Sequence, residues 1–219
     1  MDSDFVGYDK TYFEQMDLKN FNEANKRFFV KIVEHDLVRP LDGCKKILDC
    51  GCGTGNKMEV FIRNGKNVEG FDFIPEAVDY LKSKGLKGFV SSIYDIKAKD
   101  DTYDGCYSWC VFEHLDEPKK ALHEIYRVLK PGGLVAISTE TYSKDFFERD
   151  KTHVRYYTIE EAKNLFEEAG FTDITVKRSH YPFKGCIYMP HFFSVPASYF
   201  LGSFLSSIII VYAKKPLKT

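Results

Sequence analysis

Ile47-Leu48-Asp49-Cys50-Gly51-Cys52-Gly53-Thr54-Gly55-Asn56 decides the fold of this 219-residue chain. Two apolar residues and an acid close what reads as a buried strand. Three glycines at alternate positions form a tight turn, and Lys57-Met58-Glu59-Val60-Phe61-Ile62 continues as a helix. Glycine is required where the backbone turns with positive φ or where a ligand presses against the main chain. A strand, a glycine turn and a helix N-terminus together offer backbone N–H groups to a ligand at the carboxyl edge of a sheet. The spacing then narrows the choice of ligand. The dinucleotide fingerprint G-x-G-x-x-G needs glycine at position 56, where Asn56 stands. The phosphate-cradling G-x-x-x-x-G-K-[ST] is absent as well.

Length and composition set the frame. At 219 residues the chain is long enough for a full core and is read as one domain. An apolar content of 44% and a charged content of 29% are globular values. The net charge of −1 advertises no broad basic face for nucleic acid. Met1-Asp2-Ser3-Asp4-Phe5 lacks the basic-then-apolar layout of a secretory signal, so a cytoplasmic setting is expected. Cysteines stand at 44, 50, 52, 106, 110 and 186 with no C-x-x-C and no paired metal spacing. Cys50 and Cys52, inside the glycine loop, read as small packing residues.

Outward from the loop, strands and helices alternate. Phe21, Ala24, Phe28, Ile32 and Val33 form one apolar stripe in a helical preface that Pro40-Leu41-Asp42-Gly43 ends. Strands are expected over 67–72, 88–90, 105–110 and 134–138. Pro75 opens a helix reaching about Lys84, and Pro118 opens another whose buried face is Ala121, Leu122, Ile125, Val128 and Leu129. Lys130-Pro131-Gly132-Gly133 reads as the stop between that helix and the fifth strand. Thr158-Ile159-Glu160-Glu161 is a capping box, Gly170 ends its helix, and 171–176 and 207–213 supply the last two strands. This alternation predicts an α/β fold with a parallel sheet covered on both faces.

The pattern D-x-G-x-G-x-G after a hydrophobic strand resembles the first motif of the class I S-adenosylmethionine (SAM)-dependent methyltransferases. Tyr103-Asp104-Gly105-Cys106-Tyr107-Ser108-Trp109-Cys110-Val111-Phe112-Glu113-His114-Leu115, with Glu117-Pro118 and Val128-Leu129-Lys130-Pro131-Gly132-Gly133, is similar to the small-molecule subgroup holding the ubiquinone-biosynthesis O-methyltransferases. The resemblance covers roughly residues 40 to 178. It implies a seven-stranded, mostly parallel Rossmann-like sheet with an antiparallel last strand, flanked by helices. A helical cap over 1–40, a SAM-binding half over 41–140 and a substrate-side half over 141–219 follow, with an apolar insertion at about 181–206.

The same resemblance implies SAM contacts from Asp49, Gly51, Cys52 and Gly53. Asp72, ending the second strand, would accept both ribose hydroxyls by the logic of dinucleotide folds, with capping of the Pro75 helix as the plainer reading. Phe73 would lie against adenine. Where relatives often carry an acid after the third strand, this chain has Ser91-Ser92-Ile93, so a hydroxyl or backbone group must substitute, or Asp95 at a longer offset. Trp109 would meet the methionine end through its ring or only its backbone, or pack beneath a helix. Tyr12, with Tyr8 and Phe13, would close over SAM, and Arg27 would reach its carboxylate; the plainer reading is a surface helix. The subgroup's Glu-x-x-Glu-His pattern has been connected with a divalent metal. Here Cys110 replaces its first Glu, so no metal is expected.

Methyl transfer from SAM is an in-line displacement at a methyl already activated on a positive sulfur, leaving S-adenosylhomocysteine. A hydroxyl acceptor needs a base to remove its proton. Candidates are His114, Glu113 and His153; the alternative for both histidines is a role in anchoring loops. The acceptor is expected to be a small apolar or aromatic molecule. Gly185 to Ala213 carries no Lys, Arg, Asp or Glu, and its length raises a membrane span. Pro190, Pro196 and Gly202 interrupt it, which favours a lid over an apolar pocket, a dimer contact or a peripheral membrane contact through 185–206. A SAM-binding regulatory protein without turnover, and a protein or nucleic-acid methyltransferase, are the competing functions. The near-neutral charge and the lack of an Asn-Pro-Pro-Tyr-type fourth motif weigh against the last.

Overall fold

The computed structural model describes residues 17–20, 23–142, 152–179 and 206–218. In these, helix α1 (Glu23–Val33) runs into a five-residue π-helical turn, Glu34–Val38. Then follow β1 (Lys46–Cys50), α2 (Asn56–Arg63), β2 (Asn67–Asp72), α3 (Pro75–Ser83), β3 (Gly88–Val90) and β4 (Tyr103–Trp109). After a 3₁₀ turn at Phe112–His114 come α4 (Pro118–Val128), β5 (Leu129–Glu140), α5 (Ile159–Glu168), β6 (Thr172–Arg178) and β7 (Ile208–Lys214).

The seven strands form one sheet in the order β3-β2-β1-β4-β5-β7-β6. All pair in parallel except β7, which runs antiparallel to both neighbours, β5 and β6. The expected sheet, with its last strand reversed, is what forms. β1 and β4 are neighbours, yet their onward connections run to opposite sides. Their carboxyl ends therefore bound the crevice where α/β sheets take ligands.

Successive residues of a strand face opposite sides, and the core divides accordingly. Ile47 of β1 and Tyr107 of β4 pack with Leu37, Leu41, Met58 and Phe61 on one face. Leu48, Cys50 and Cys106 pack with Phe112, Leu122, Ile125, Val135, Phe166 and Val211 on the other. Phe61 and Tyr107 stack with ring centroids 4.5 Å apart and planes within 5°. Ile32 and Val33 of the expected N-terminal stripe are buried; Phe21 lies outside the described residues. The π-helical turn brings Asp36 inward, where it accepts from the Ser179 hydroxyl at 2.6 Å, while its carbonyl accepts from Tyr212 at 2.8 Å. The preface is thereby tied to the far end of the sheet.

One boundary differs from expectation. Lys130-Pro131-Gly132-Gly133 lies inside β5, which begins at Leu129 directly after α4. Tyr103 pairs with Leu129 and Gly105 with Leu134, so the extra residues of β5 bulge out of register. Gly132 adopts φ 79° there. The glycines turn the chain within the strand instead of separating it from the helix. The capping box is present as read: Thr158 Oγ1 accepts from the Glu161 N–H at 3.1 Å, and the Thr158 N–H reaches Glu161 Oε2 at 2.8 Å.

Candidate active site

The glycine loop leaves β1 at the crevice, with Gly51, Gly53 and Gly55 all at positive φ. Its N–H groups are used differently from the sequence expectation. Gly51 and Cys52 both donate to the Phe71 carbonyl at 2.9 Å, and Gly55 donates to the Cys52 carbonyl at 2.9 Å. Gly53 donates to Asp72 Oδ2 at 2.9 Å. These four bonds hold the loop to itself and to β2, and are not available to a ligand. What the loop offers is shape, since a Cβ added at Gly53 would meet nothing within 4 Å. Cys50 and Cys52 are buried packing residues.

Asp72 is the hinge of this arrangement. It is only 7% exposed, and its Oδ1 accepts from the Ile74 N–H at 3.1 Å. Burial pushes its carboxyl above the usual range, opposed by the N–H groups of Gly53, Ile74 and Phe73. The bond from Ile74 precedes the helix, so Asp72 links the loop to α3 without being its cap. The neighbouring Phe73 is 56% exposed, a large aromatic face at the mouth of the crevice. Asp49, one strand over, is fully buried and accepts from the Tyr107 hydroxyl at 2.8 Å. Burial raises it to about 7, against the hydrogen bond from Tyr107 and the charge of Lys57.

Past β3, the Ser92 hydroxyl accepts from the Tyr94 N–H at 3.1 Å, and Ser92 forms a bridge with Asp95. Ile93 is buried in the core. Trp109, at the end of β4, is half-buried, with Lys57 Nζ 5.8 Å from its ring centroid and 5.8 Å from that of Phe29. Lys57, near the start of α2, thus stands beside the rings of both Phe29 and Trp109. Arg27 is exposed on α1, and Tyr8, Tyr12 and Phe13 lie outside the described residues.

Across the crevice, β4 ends in Cys110, a non-glycine residue at φ 53°. Its N–H is held by the Ser138 carbonyl and hydroxyl, each at 3.1 Å. This strained corner turns the chain so that Glu113 enters the interior at 1% exposure, its Oε2 accepting from Thr139 Oγ1 at 3.1 Å. Burial raises the Glu113 carboxyl to about 7. The Glu113 carbonyl accepts from Val154 at 2.9 Å, which draws the 152–155 segment against the end of β4. His114 Nδ1 lies 2.9 Å from Thr152 Oγ1 and 3.2 Å from the Thr152 carbonyl. The His114 and His153 ring centroids are 4.9 Å apart. One ligand-type atom from each of Glu113, His114 and His153 lies within 4.8 Å of the others. The two predicted catalytic histidines are therefore brought together, with a carboxyl between β4 and β5. Tyr142, 62% exposed, meets Tyr156 edge-on at 5.1 Å on the same rim.

The raised Asp49 carboxyl has a consequence for stability. Its folded value of about 7 lies above the ordinary 3.8, so the unfolded chain releases this proton at lower pH than the folded one. Stability present below about pH 4 is then lost progressively toward pH 7 and stays lost above it. Asp49→Asn is expected to remove a decline on the order of 2–4 kcal/mol between these limits. Thermal melts of both ligand-free proteins from pH 4.5 to 8 read the difference, and parallel pH profiles would contradict it.

A family model described as a methyltransferase domain matches residues 21–176. The chain belongs to the class I SAM-dependent methyltransferases. Malonyl-[acyl-carrier protein] O-methyltransferase of Pectobacterium atrosepticum is 31% identical over 96 residues, 43% of this chain and 38% of that protein. Ubiquinone biosynthesis O-methyltransferase of Xylella fastidiosa is 31% identical over 107 residues, 46% of this chain and 43% of that protein. The tRNA N(3)-methylcytidine methyltransferase trm140 of Schizosaccharomyces pombe is 27% identical over 197 residues, covering 74% of this chain and 64% of its own. This methyltransferase chain thus spans about two fifths of the O-methyltransferases it matches. A SAM-dependent methyltransferase from Archaeoglobus fulgidus has the same fold, with a TM-score of 0.71 at 20% identity over 93% of this chain and 100% of that one. The cofactor of the family is SAM, and the open face at Gly53, the buried Asp72 and the exposed Phe73 fit a nucleoside. Among the described residues no helix is long and apolar enough to cross a membrane; 185–205 lie outside them.

Proposed function

We propose that this methyltransferase carries the methyl group of SAM to a small hydroxyl-bearing acceptor at the rim formed by Glu113, His114 and His153. The observation supporting it is the facing pair of features across the β1/β4 crevice. One wall holds a buried acid locked to the glycine loop, Asp72 to Gly53 at 2.9 Å. The other gathers three ionisable side chains within 4.8 Å.

In this reading Asp72 receives the ribose hydroxyls, Phe73 lies on adenine, and Asp49, Gly51, Cys52 and Gly53 shape the seat of the nucleoside. Ser92 and Ile93 border the base, and Trp109 and Lys57 border the amino-acid end. SAM supplies a methyl carbon already activated by positive sulfur. The protein holds the acceptor oxygen in line with it, and such positioning contributes about 7–11 kcal/mol. The rim groups take up the hydroxyl proton as the bond forms. Residues 41–140 then form the cofactor half and 141–219 the acceptor half.

SAM or S-adenosylhomocysteine at a hundredfold excess over its dissociation constant is expected to stabilise the protein by about 2.7 kcal/mol. Radiolabelled methyl from SAM should then appear in a phenol, catechol or carboxylate of a metabolite panel. One observation favours an RNA acceptor, namely the longer match to the tRNA enzyme; against it stands the net charge of −1. Bulk tRNA belongs in the same panel, and label in tRNA alone would replace the small-molecule reading. Binding of SAM with no label anywhere would favour the regulatory one.

A further inference from the structure

Lys57 stands at the β1/β4 crevice with aromatic rings where Lys66, Lys84 and Lys215 have carboxylates. Those three inward-facing lysines lie 2.7, 2.9 and 2.9 Å from Asp42, Asp17 and Asp101 respectively. Lys57 is half-buried too, yet among the described residues it forms no ion pair with a carboxylate. Its Nζ lies instead 5.8 Å from the ring centroids of both Phe29 and Trp109. At that distance the rings attract the cation but do not take its hydrogen bonds. Its place in the first turn of α2 is a second cost, because a cation there opposes the helix dipole. The groups that feel its charge do not balance it. Burial holds the Cys52 and Cys110 thiols well above their ordinary range and therefore neutral. Asp49 is raised to about 7, so only part of its charge is present at neutral pH.

The position of Lys57 indicates which anion completes it. Asp49 of β1 pairs with Tyr107 of β4, and Trp109 lies further along β4, at its carboxyl end. Lys57 therefore overhangs the end of β4, while Asp72 ends β2 on the other side of β1. Two inter-strand spacings, about 10 Å, separate those ends. An amino-acid tail that leaves a ribose at Asp72 and crosses β1 runs toward Lys57. SAM carries no phosphate; the carboxylate of that tail is its only anionic group. The resemblance gave this carboxylate to Arg27. On a helix, however, residues i and i+2 do not share a face. Phe29 is the residue of α1 that faces Lys57, and Arg27 is exposed.

We propose that Lys57 binds the carboxylate of SAM and makes the crevice select nucleosides that carry it. The inference rests on the reading of Asp72 as the ribose acceptor. With the ribose held at one end and the carboxylate at the other, the sulfur between them is fixed, and with it the direction of the methyl group. The bond forms in a partly desolvated crevice, where a charge pair is stronger than at an open surface.

The test is calorimetry on the full chain with S-adenosylhomocysteine and with its decarboxylated analogue, which lacks only the carboxylate. Wild type is expected to prefer the former by at least about tenfold, the lower end of what a charge-assisted bond contributes. Lys57→Met, which keeps an unbranched apolar stem, should lose that preference: S-adenosylhomocysteine weakens and the analogue's affinity stays unchanged. Lys57→Arg should restore most of it. A lysine with a merely structural role would weaken both ligands alike, and that result overturns the proposal. So does a wild type that binds the two equally, or an unchanged preference in a folded Lys57→Met. Where that variant does not fold, the wild type still decides. Saturating S-adenosylhomocysteine should shield Lys57 from acetylation, read by mass spectrometry, and the analogue should not. Equal labelling with and without S-adenosylhomocysteine overturns the proposal. Tight binding of S-adenosylhomocysteine beside any of these contrary results removes Lys57 alone; failure of the wild type to bind it removes the nucleoside site as well.

Discussion

Asp72→Ala is expected to weaken SAM and S-adenosylhomocysteine by at least about 100-fold, the largest binding effect of any single substitution in the chain. Two losses combine. The proposed bonds to the ribose hydroxyls are charge-assisted and are each worth about 1.5–3 kcal/mol. The bond from Gly53, at 2.9 Å, is lost with them, and it ties the glycine loop to the end of β2. The substitution should cost the ligand-free protein far less. Burial holds the Asp72 carboxyl above its ordinary range, so the folded state gains little from its charge. A melting temperature within a few degrees of wild type, beside calorimetry showing no saturable SAM binding, is the expected pair of results. Asp72→Asn, which keeps an acceptor oxygen for Ile74 but removes the charge, should fall between. Binding within threefold of wild type in a folded Asp72→Ala would remove Asp72 from the cofactor site.

The contrast between Asp72 and the histidine rim explains what was legible in the sequence. β2 and β3 occur at 67–72 and 88–90 as expected, because apolar runs bounded by glycine and proline state their own limits. The alternation implied a parallel sheet covered on both faces, the resemblance implied seven strands with the last reversed, and the order of the strands emerged only in the structure. The glycine loop was legible as shape but not as hydrogen bonding. No local pattern says that Gly51 and Cys52 donate to the Phe71 carbonyl, since that bond belongs to the packing of β1 on β2. The bulge over 130–133 was misplaced for a similar reason: Pro-Gly-Gly signals a turn but not whether pairing resumes before it. His153 meets His114 because the Glu113 carbonyl draws in the following segment, a tertiary contact without a sequence signature.

The same dependence of loop on strand makes Gly70 the second site of large effect. Gly70 lies in the middle of three parallel strands, opposite Asp49 on β1 and Gly88 on β3. A Cβ there would lie 2.6 Å from Cys52 Cβ, 2.9 Å from Met58 Sδ and 3.0 Å from Cys52 Sγ. The Met58 sulfur belongs to a flexible side chain and can yield. Cys52 Cβ cannot move alone, because the Cys52 N–H is bonded to the Phe71 carbonyl at 2.9 Å. Gly70→Ala must therefore push the glycine loop off β2. Overpacking of this kind costs about 1–3 kcal/mol, or roughly 2–12 °C in melting temperature for a chain of this size. The displaced loop carries Gly53 away from Asp72, so SAM affinity should fall with stability. Cys52→Gly removes the obstructing atoms and should restore much of both in the double variant, measured by thermal melts and calorimetry. Gly70→Ala with unchanged melting and unchanged affinity would show that the loop does not rest on β2 as its geometry requires.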